Sequence, residues 1–254
     1  MPLAFALLSV LSTASLDEPT SVRKLLLVTD IGESVMSEGF DRRRLADSPS
    51  KSTGRDKRIV AYIPNWVACP SASQLQHYTH AMVAFVVTYP SFVQNGDNCR
   101  TDHTCTVQTA PGCGGKTLKQ MTSDLQGMGL KVILSFGGAG MGGSWSTSVD
   151  TCWDYCLGKV DSLVNQLDAV MVSSGADGLD VDYEYHTVAV KYQTFLNDLV
   201  VKLHAKMGSR VLLTHAPMDV DLCDKTLDSQ CKPYYRDVLK AHADKVRCRR
   251  VSRG

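Results

Sequence analysis

Residues 177–184 read Asp-Gly-Leu-Asp-Val-Asp-Tyr-Glu, so four carboxylates interrupt an otherwise apolar run. In an extended strand, successive side chains point to opposite faces of the sheet. Asp180, Asp182 and Glu184 therefore share one face. The other face, which can pack against helices, carries Leu179, Val181 and Tyr183. The pattern predicts a buried strand that concentrates three acids at its end.

The closeness of these acids has an electrostatic consequence. At a separation of ~5 Å and an effective dielectric of ~20, each like-charge contact costs about 3 kcal/mol, or roughly two pK units. We therefore expect at least one of the three to hold a proton near neutral pH. Glycosidic bond cleavage uses such a pair, since one acid protonates the leaving oxygen and another stabilises positive charge at the sugar carbon.

Two other interpretations of the acidic run are a calcium site and an exposed acidic strand end. Calcium loops usually space their ligands over a glycine-containing turn rather than along an apolar strand. The spacing therefore favours a catalytic site, and we expect neither a metal ion nor a cofactor.

From residue 58 onward, short β-branched runs alternate with longer amphipathic segments, which predicts parallel strands joined by crossover helices in an α/β fold. The predicted strands are Ile59–Ile63, Ala81–Val87, Val132–Ser135, Gly178–Asp182 and Val211–His215. The predicted helices are Leu118–Met128, Cys156–Val172, Val188–Met207 and Tyr234–Ala243. Gly129, Gly175 and Gly208 stand where helices should end.

Composition limits the classes of partner. The 254 residues are 44% hydrophobic, with 27 basic and 26 acidic side chains. This near balance gives no electrostatic reason to expect a nucleic acid or a membrane surface as partner. A neutral substrate fits better.

The N-terminal region divides in two. Residues 1–14 are apolar and end on small residues, which is typical of a cleavable signal peptide, although an apolar terminus without a targeting role is an alternative. The run is too short to span a membrane. Residues 15–57 are polar and charged, which predicts a disordered leader or pro-segment before a domain at 58–254.

Nine cysteines support a secreted, extracellular protein. Cys99, Cys105 and Cys113 lie in a long insert at residues 88–115, which we predict to be a surface loop stapled by disulfides. The odd number leaves one cysteine over, and Cys248 in the basic last segment is our candidate. We do not predict the connectivity.

Zinc is the alternative for some of these thiols. Cys152 with Cys156, or His103 with Cys105, could supply two ligands. Neither pair has a second pair at the spacing of a zinc finger, so disulfides are the better interpretation.

The acidic run resembles the DxxDxDxE signature of family 18 glycoside hydrolases, which are chitinases and endo-β-N-acetylglucosaminidases. All four acids match. Three more segments resemble the same family in the same order: AYIPNW at 61–66, SFGG at 135–138 and APMD at 216–219. Four ordered matches make chance a poor explanation.

The resemblance implies a TIM (β/α)8 barrel with its site at the carboxyl ends of the strands. It also implies substrate-assisted catalysis without an enzyme nucleophile. Glu184 would protonate the glycosidic oxygen, Asp182 would orient the attacking acetamide, and Asp180 would hydrogen-bond to Asp182 and adjust its ionisation.

Further residues receive roles from the resemblance. Met218 and Asp219 occupy a loop that contacts the sugar in family members. Trp66 and Trp145, in loops at strand ends, could stack on sugar rings, with simple packing as the alternative.

Four residues are expected to support the site. Ser135, with Gly137 and Gly138 after it, would lie below the carboxylates. Asp177 precedes the strand, so we expect a structural role, such as capping the turn with Gly178.

A closed barrel needs eight strands, and the pattern predicts five. After Val246 the chain becomes basic and poor in strand-forming residues. We therefore expect an incomplete barrel, cut off after the fifth βα unit in a truncated product or a gene-model error.

The expected function is hydrolysis of chitin or its oligomers by a secreted monomer. An endo-β-N-acetylglucosaminidase acting on N-glycans is the nearest enzymatic alternative. A chitin-binding lectin or secreted effector without turnover belongs to a different class. The presence of Glu184 favours an enzymatic ancestry, whereas the expected truncation favours binding alone or no function.

Overall fold

A computed structural model describes residues 25–28, 58–92, 98–99, 104–108, 110–142, 152–185, 190–217, 219–222 and 234–245. Within these ranges one sheet contains six strands. They are β1 (Leu25–Val28), β2 (Arg58–Pro64), β3 (His80–Val86), β4 (Lys131–Gly137), β5 (Gly178–Asp182) and β6 (Leu212–His215). The helices are α1 (Ala72–Leu75), α2 (Leu118–Gly127), α3 (Cys152–Cys156), α4 (Val160–Ser174), α5 (Val190–Met207), α6 (Asp219–Leu222) and α7 (Tyr234–Ala241).

The strands lie side by side in chain order, and β2 to β6 are all parallel. Helices connect successive parallel strands, as parallel pairing requires. This arrangement confirms the predicted α/β class and is that of an incomplete TIM barrel. Because the strands are parallel, their carboxyl ends meet at one edge of the sheet.

The predicted parallel strands and the longer helices form close to their expected positions, with two differences. The helix expected to run from Cys156 is wrong at its start. A short helix, α3, ends at Cys156, Gly158 turns the chain with φ of 72°, and α4 begins at Val160. In addition, β1 pairs antiparallel with β2 inside the segment expected to be a leader, and composition did not predict it.

The two faces of the sheet have different surroundings. The face covered by helices carries a large apolar core, to which β5 contributes Leu179 and Val181. The opposite face, here called the inner face, carries a smaller apolar cluster of Val60, Tyr62, Met82, Ala84 and Ile133. Polar side chains replace this cluster toward the carboxyl ends of β4, β5 and β6.

Three disulfides hold the long insert to the rest of the fold. The pairs are Cys69–Cys113, Cys99–Cys152 and Cys105–Cys156. They confirm the predicted disulfide-stapled loop. The zinc interpretation of Cys105, Cys152 and Cys156 is wrong because their sulfurs are covalently paired. Cys223, Cys231, Cys248 and His103 lie outside the described residues.

Among the described residues, no helix has the length and apolar character needed to cross a membrane.

Candidate active site

The acids of β5 lie on the inner face, as the period of two predicts. Asp180 is completely buried and Asp182 is 2% exposed. Leu179, which precedes Asp180, and Val181, which lies between the two acids, pack into the helix-covered core instead. Burying carboxyl groups is costly unless they are hydrogen-bonded, so their surroundings decide what they can do.

Asp180 is held from both neighbouring strands. Ser135 on β4 donates its hydroxyl hydrogen to Oδ2 of Asp180 at 3.0 Å. Thr214 on β6 donates to Oδ1 at 2.6 Å. The strand register places the three residues directly side by side. Asp180 is therefore an acceptor fixed by Ser135 and Thr214, two residues before Asp182 on the same strand.

Gly137 and Gly138 allow a close approach to the backbone of Asp182. The Gly138 N–H donates to the Asp182 carbonyl oxygen at 2.8 Å. A Cβ on Gly137 would lie 2.3 Å from that same oxygen and 2.8 Å from the Trp153 ring, and Gly137 has φ of 121°. Only glycine fits this position. The SFGG segment thus fixes the main chain that carries Asp182.

Glu184 lies two residues beyond Asp182 and is half-buried. Tyr183 belongs to the helix-covered core, and Tyr185 packs against the same core. Continuing the alternation of β5 by two residues would place Glu184 on the inner face, the side of Asp180 and Asp182. The structure thus brings Asp180 and Asp182 together on the inner face at the carboxyl edge, and the common face of Glu184 stays a prediction.

Asp177 lies at the other end of β5, about 20 Å from Glu184 for an extended chain of this length. Its carboxylate bonds Lys131 Nζ at 2.8 Å, the Val132 N–H at 3.0 Å and Gln126 Nε2 at 2.9 Å. Partial burial opposes ionisation of Asp177, but these hydrogen bonds outweigh it and lower its pKa. The contacts tie β5 to β4 and α2, away from the three other acids.

The structure describes only some of the remaining predicted site residues. Trp66 follows β2 at the carboxyl edge, is 66% exposed, and stacks on Phe85 with 6.2 Å between ring centroids. Asp219 is the first residue of α6, with its side chain outside the described part. Met218 and Trp145 also lie outside the described residues.

Sequence reasoning missed the aromatic residues that support the acidic strand from behind. Trp153 in α3 is completely buried and contacts Phe136 and Tyr183, with ring centroids 5.2 and 4.8 Å away. The Tyr235 hydroxyl lies 2.8 Å from Nδ1 of His215 and donates to the Val181 carbonyl at 3.3 Å. The signal for Trp153 was its position between two cysteines.

Buried surroundings also set the ionisation of His215. Burial, with a smaller contribution from the nearby His242, lowers the pKa of His215 to about 3. His215 is therefore a neutral member of the core behind β5 near pH 7, rather than a proton-transfer group.

Comparison with solved structures supports the fold. A structure assigned to chitinase A of Streptomyces coelicolor matches with a TM-score of 0.51 and 22% identity, over 74% of this chain and 57% of that one. A family 18 chitinase from Pseudoalteromonas aurantia matches with a TM-score of 0.50 and 18% identity, over 74% and 63%. At these identities the likeness shows the fold alone. The chain spans about three fifths of the length of these two proteins.

No curated protein gave a significant match to the chain. The sequence model for the glycosyl hydrolases family 18 matches residues 58–228, which is more than half of the chain and includes all four acids of the motif. With the parallel sheet and the buried acids at its carboxyl edge, this match shows that the chain belongs to glycoside hydrolase family 18.

Proposed function

We propose that the chain hydrolyses β-1,4-linked N-acetylglucosamine polymers, that is, chitin or chito-oligosaccharides, with retention of configuration. The observation that carries the proposal is the pair of buried carboxyl groups of Asp180 and Asp182 on β5, with Asp180 anchored by Ser135 and Thr214. Glu184 follows Asp182 by two residues. A merely structural acidic strand end would not need two buried carboxyl groups.

In the first step Glu184 acts as general acid. Its carboxyl proton passes to the glycosidic oxygen as the bond from that oxygen to the sugar C1 breaks. The carbonyl oxygen of the substrate's own acetamide forms a bond to C1, giving a cyclic oxazolinium ion and a free alcohol. No side chain becomes covalently attached.

Asp182 orients and stabilises the substrate acetamide during this step. A carboxylate in a water-poor site interacts strongly with positive charge that develops on the acetamide nitrogen. Asp180 keeps Asp182 in place, since its own two oxygens are already bonded to neighbouring strands. Preorganised groups of this kind lower the barrier because they need no rearrangement during the reaction.

In the second step water attacks C1 from the face that the leaving group vacated. The Glu184 carboxylate takes the proton of that water, the acetamide ring opens, and the sugar leaves with its original anomeric configuration. Glu184 is then protonated for the next cycle.

Four residues are assigned to binding the sugar rings of the substrate: Trp66, Met218, Asp219 and Trp145. The exposed Trp66 ring at the carboxyl edge supports this assignment, because aromatic faces supply large apolar contact area to a ligand. We propose Gly137 and Gly138 as supports for the main chain at Asp182.

Secretion is part of the proposal. Residues 1–14 would direct export, residues 15–57 would precede the catalytic region at 58–254, and the chain would act as a monomer. The three disulfides favour an oxidising compartment such as the extracellular space.

The test is a matched set of fluorogenic substrates offered to the purified full chain. A chitotriose substrate should release its fluorophore, and a cellotriose substrate, which lacks the acetamide, should not. Cleavage of an N-linked glycan in preference to chitotriose would favour an endo-β-N-acetylglucosaminidase. Binding of chitotriose by folded protein without turnover would instead indicate a lectin and overturn the enzyme.

A further inference from the structure

The residue directly after Glu184 is tethered to a short helix on the other side of the sheet. The Tyr185 hydroxyl donates to Oδ2 of Asp154 at 3.0 Å. Tyr192 in α5 donates its hydroxyl hydrogen to Oδ1 of the same carboxylate. Lys191 Nζ lies 3.6 Å from Oδ1 and adds a favourable charge. Asp154 therefore collects hydrogen bonds from the end of β5 and from the start of α5.

Asp154 sits in the middle of α3, which has only five residues. A helix this short does not hold its shape alone, because forming the first helical turn is unfavourable. Cys152 and Cys156, on either side of Asp154, are joined to Cys99 and Cys105. Two covalent links thus replace the stability that the helix lacks.

Packing of Trp153 holds α3 in place in addition to its two disulfides. Trp153, next to Asp154, is completely buried between β4, β5 and α5. Its ring contacts Phe136, Tyr183 and Phe195 at centroid distances of 5.2, 4.8 and 6.1 Å. The carboxylate of Asp154 is consequently held at a defined place relative to the carboxyl end of β5.

The direction of the tether matters. The Tyr185 ring lies on the helix side, with ring contacts to Tyr183 and Tyr192 at 6.4 and 5.3 Å. Continued alternation past Asp182 would direct Glu184 to the opposite, inner face, which carries Asp180 and Asp182. Since neighbouring residues share a backbone, restraining the Tyr185 side chain restrains where the Glu184 carboxyl can go.

We propose that Asp154 and Tyr185 are positioning residues for Glu184, and that the Cys99–Cys152 and Cys105–Cys156 disulfides hold the helix from which they act. This inference rests on the proposed function of Glu184 as general acid. A misplacement of about 1 Å can lower a rate by about 100-fold, so a tether one residue away has a large effect on turnover.

The test compares Tyr185→Phe with Tyr192→Phe. Each variant removes one hydroxyl that donates to the Asp154 carboxylate and keeps the ring. Only Tyr185 adjoins Glu184 in the chain. With chitotriose substrate, Tyr185→Phe should lower kcat by about 10- to 100-fold with KM within about threefold, the pattern of lost positioning. Tyr192→Phe should lower kcat by no more than about threefold. Equal losses in the two variants, at equal thermal stability, would show a purely structural cluster and overturn the inference.

A second pair of variants tests the disulfides. Cys105→Ser with Cys156→Ser releases one end of α3, whereas Cys69→Ser with Cys113→Ser removes a disulfide that does not involve α3. Assayed at a temperature where both are folded, the first double variant should lose about tenfold or more in kcat, and the second should stay within about threefold. Comparable kcat values for the two would contradict the proposed role of these links.

Hydrogen exchange separates this inference from the proposed function. Backbone amides of Glu184 and Tyr185 should exchange faster in Tyr185→Phe than in Tyr192→Phe, whether or not the chain cleaves chitotriose. If these two amides exchange at the same rate in both variants, the proposed tether is wrong, even if the enzyme is active. If the exchange rates differ but the unaltered chain shows no turnover, only the proposed activity is wrong.

Discussion

The hydroxyl of Ser135 donates to Oδ2 of Asp180 across 3.0 Å and joins β4 to β5 on the buried inner face. Ser135→Ala should lower the free energy of unfolding by about 1 to 3 kcal/mol, because a buried acceptor then loses a partner. Turnover should fall as well, since Asp180 supports Asp182. Urea unfolding and chitotriose kinetics measure the two effects. Ser173→Ala, at an exposed helical hydroxyl, is the matched control and should stay within about 0.5 kcal/mol.

Gly137 provides a test of the close approach to Asp182. Gly137→Ala should destabilise the fold by about 3 kcal/mol or more, because the added Cβ meets the Asp182 carbonyl and the backbone has positive φ. Gly127→Ala adds the same methyl group in α2, where a Cβ meets no atom within 4 Å. That control should be neutral or stabilising by up to about 1 kcal/mol. Similar urea midpoints for both variants would show that Gly137 is not sterically required.

His215 gives the fold a defined pH dependence. Its pKa is about 3 in the folded protein, below its ordinary value of 6.5. Below pH 6.5 the unfolded chain binds a proton that the folded protein does not, so stability falls as the pH drops toward 3. At pH 5 this contribution amounts to a loss of about 2 kcal/mol relative to pH 7.

Urea unfolding at pH 7, 6 and 5 measures this loss. His215→Gln should show a flatter profile than the unaltered chain, because the buried imidazole that resists protonation is gone. A His215→Gln profile parallel to that of the unaltered chain would mean that His215 titrates normally.

Asp177 belongs to the acidic motif but should affect stability rather than catalysis. Asp177→Ala removes acceptors used by Lys131, Gln126 and the Val132 N–H, and should cost about 2 kcal/mol. Because the pKa of Asp177 is lowered, its contribution is present above pH 3.8 and is lost as the pH falls below that value.

The measurement for Asp177 is kcat per folded molecule beside the unfolding free energy. kcat should remain within about threefold of the unaltered chain, since the contacts lie at the amino end of β5. Asp124→Asn, in an exposed ion pair with Lys116, is the control and should cost no more than about 1 kcal/mol. A 100-fold loss of kcat in folded Asp177→Ala would place Asp177 in the catalytic machinery.

Much of the sheet was predictable because its strands are buried on both faces. β5 was predicted at its observed bounds, and the period of two correctly separated Asp180 and Asp182 from Val181. Such strands consist of nearly unbroken apolar runs, so pattern alone identifies them. The inner-face location of the acids follows from the same alternation.

The supports of the site were less predictable because they depend on contacts distant in sequence. The five residues of α3 are too few to show a helical period, and pattern reasoning merged their end with α4. The partner of each cysteine, and the tether from Asp154 to Tyr185 across 31 positions, exist only once the chain has folded. β1 is a four-residue strand in a polar segment, which carries too weak a pattern to predict.

The most direct test of the proposed function compares the unaltered chain with Glu184→Gln on fluorogenic chitotriose. Gln has nearly the same shape but cannot donate a carboxyl proton, so kcat should fall by about 100- to 10,000-fold. The Kd for chitotriose, measured by calorimetry, should change little because the rest of the site is intact. Turnover by Glu184→Gln equal to that of the unaltered chain would contradict the assignment of Glu184 as the general acid.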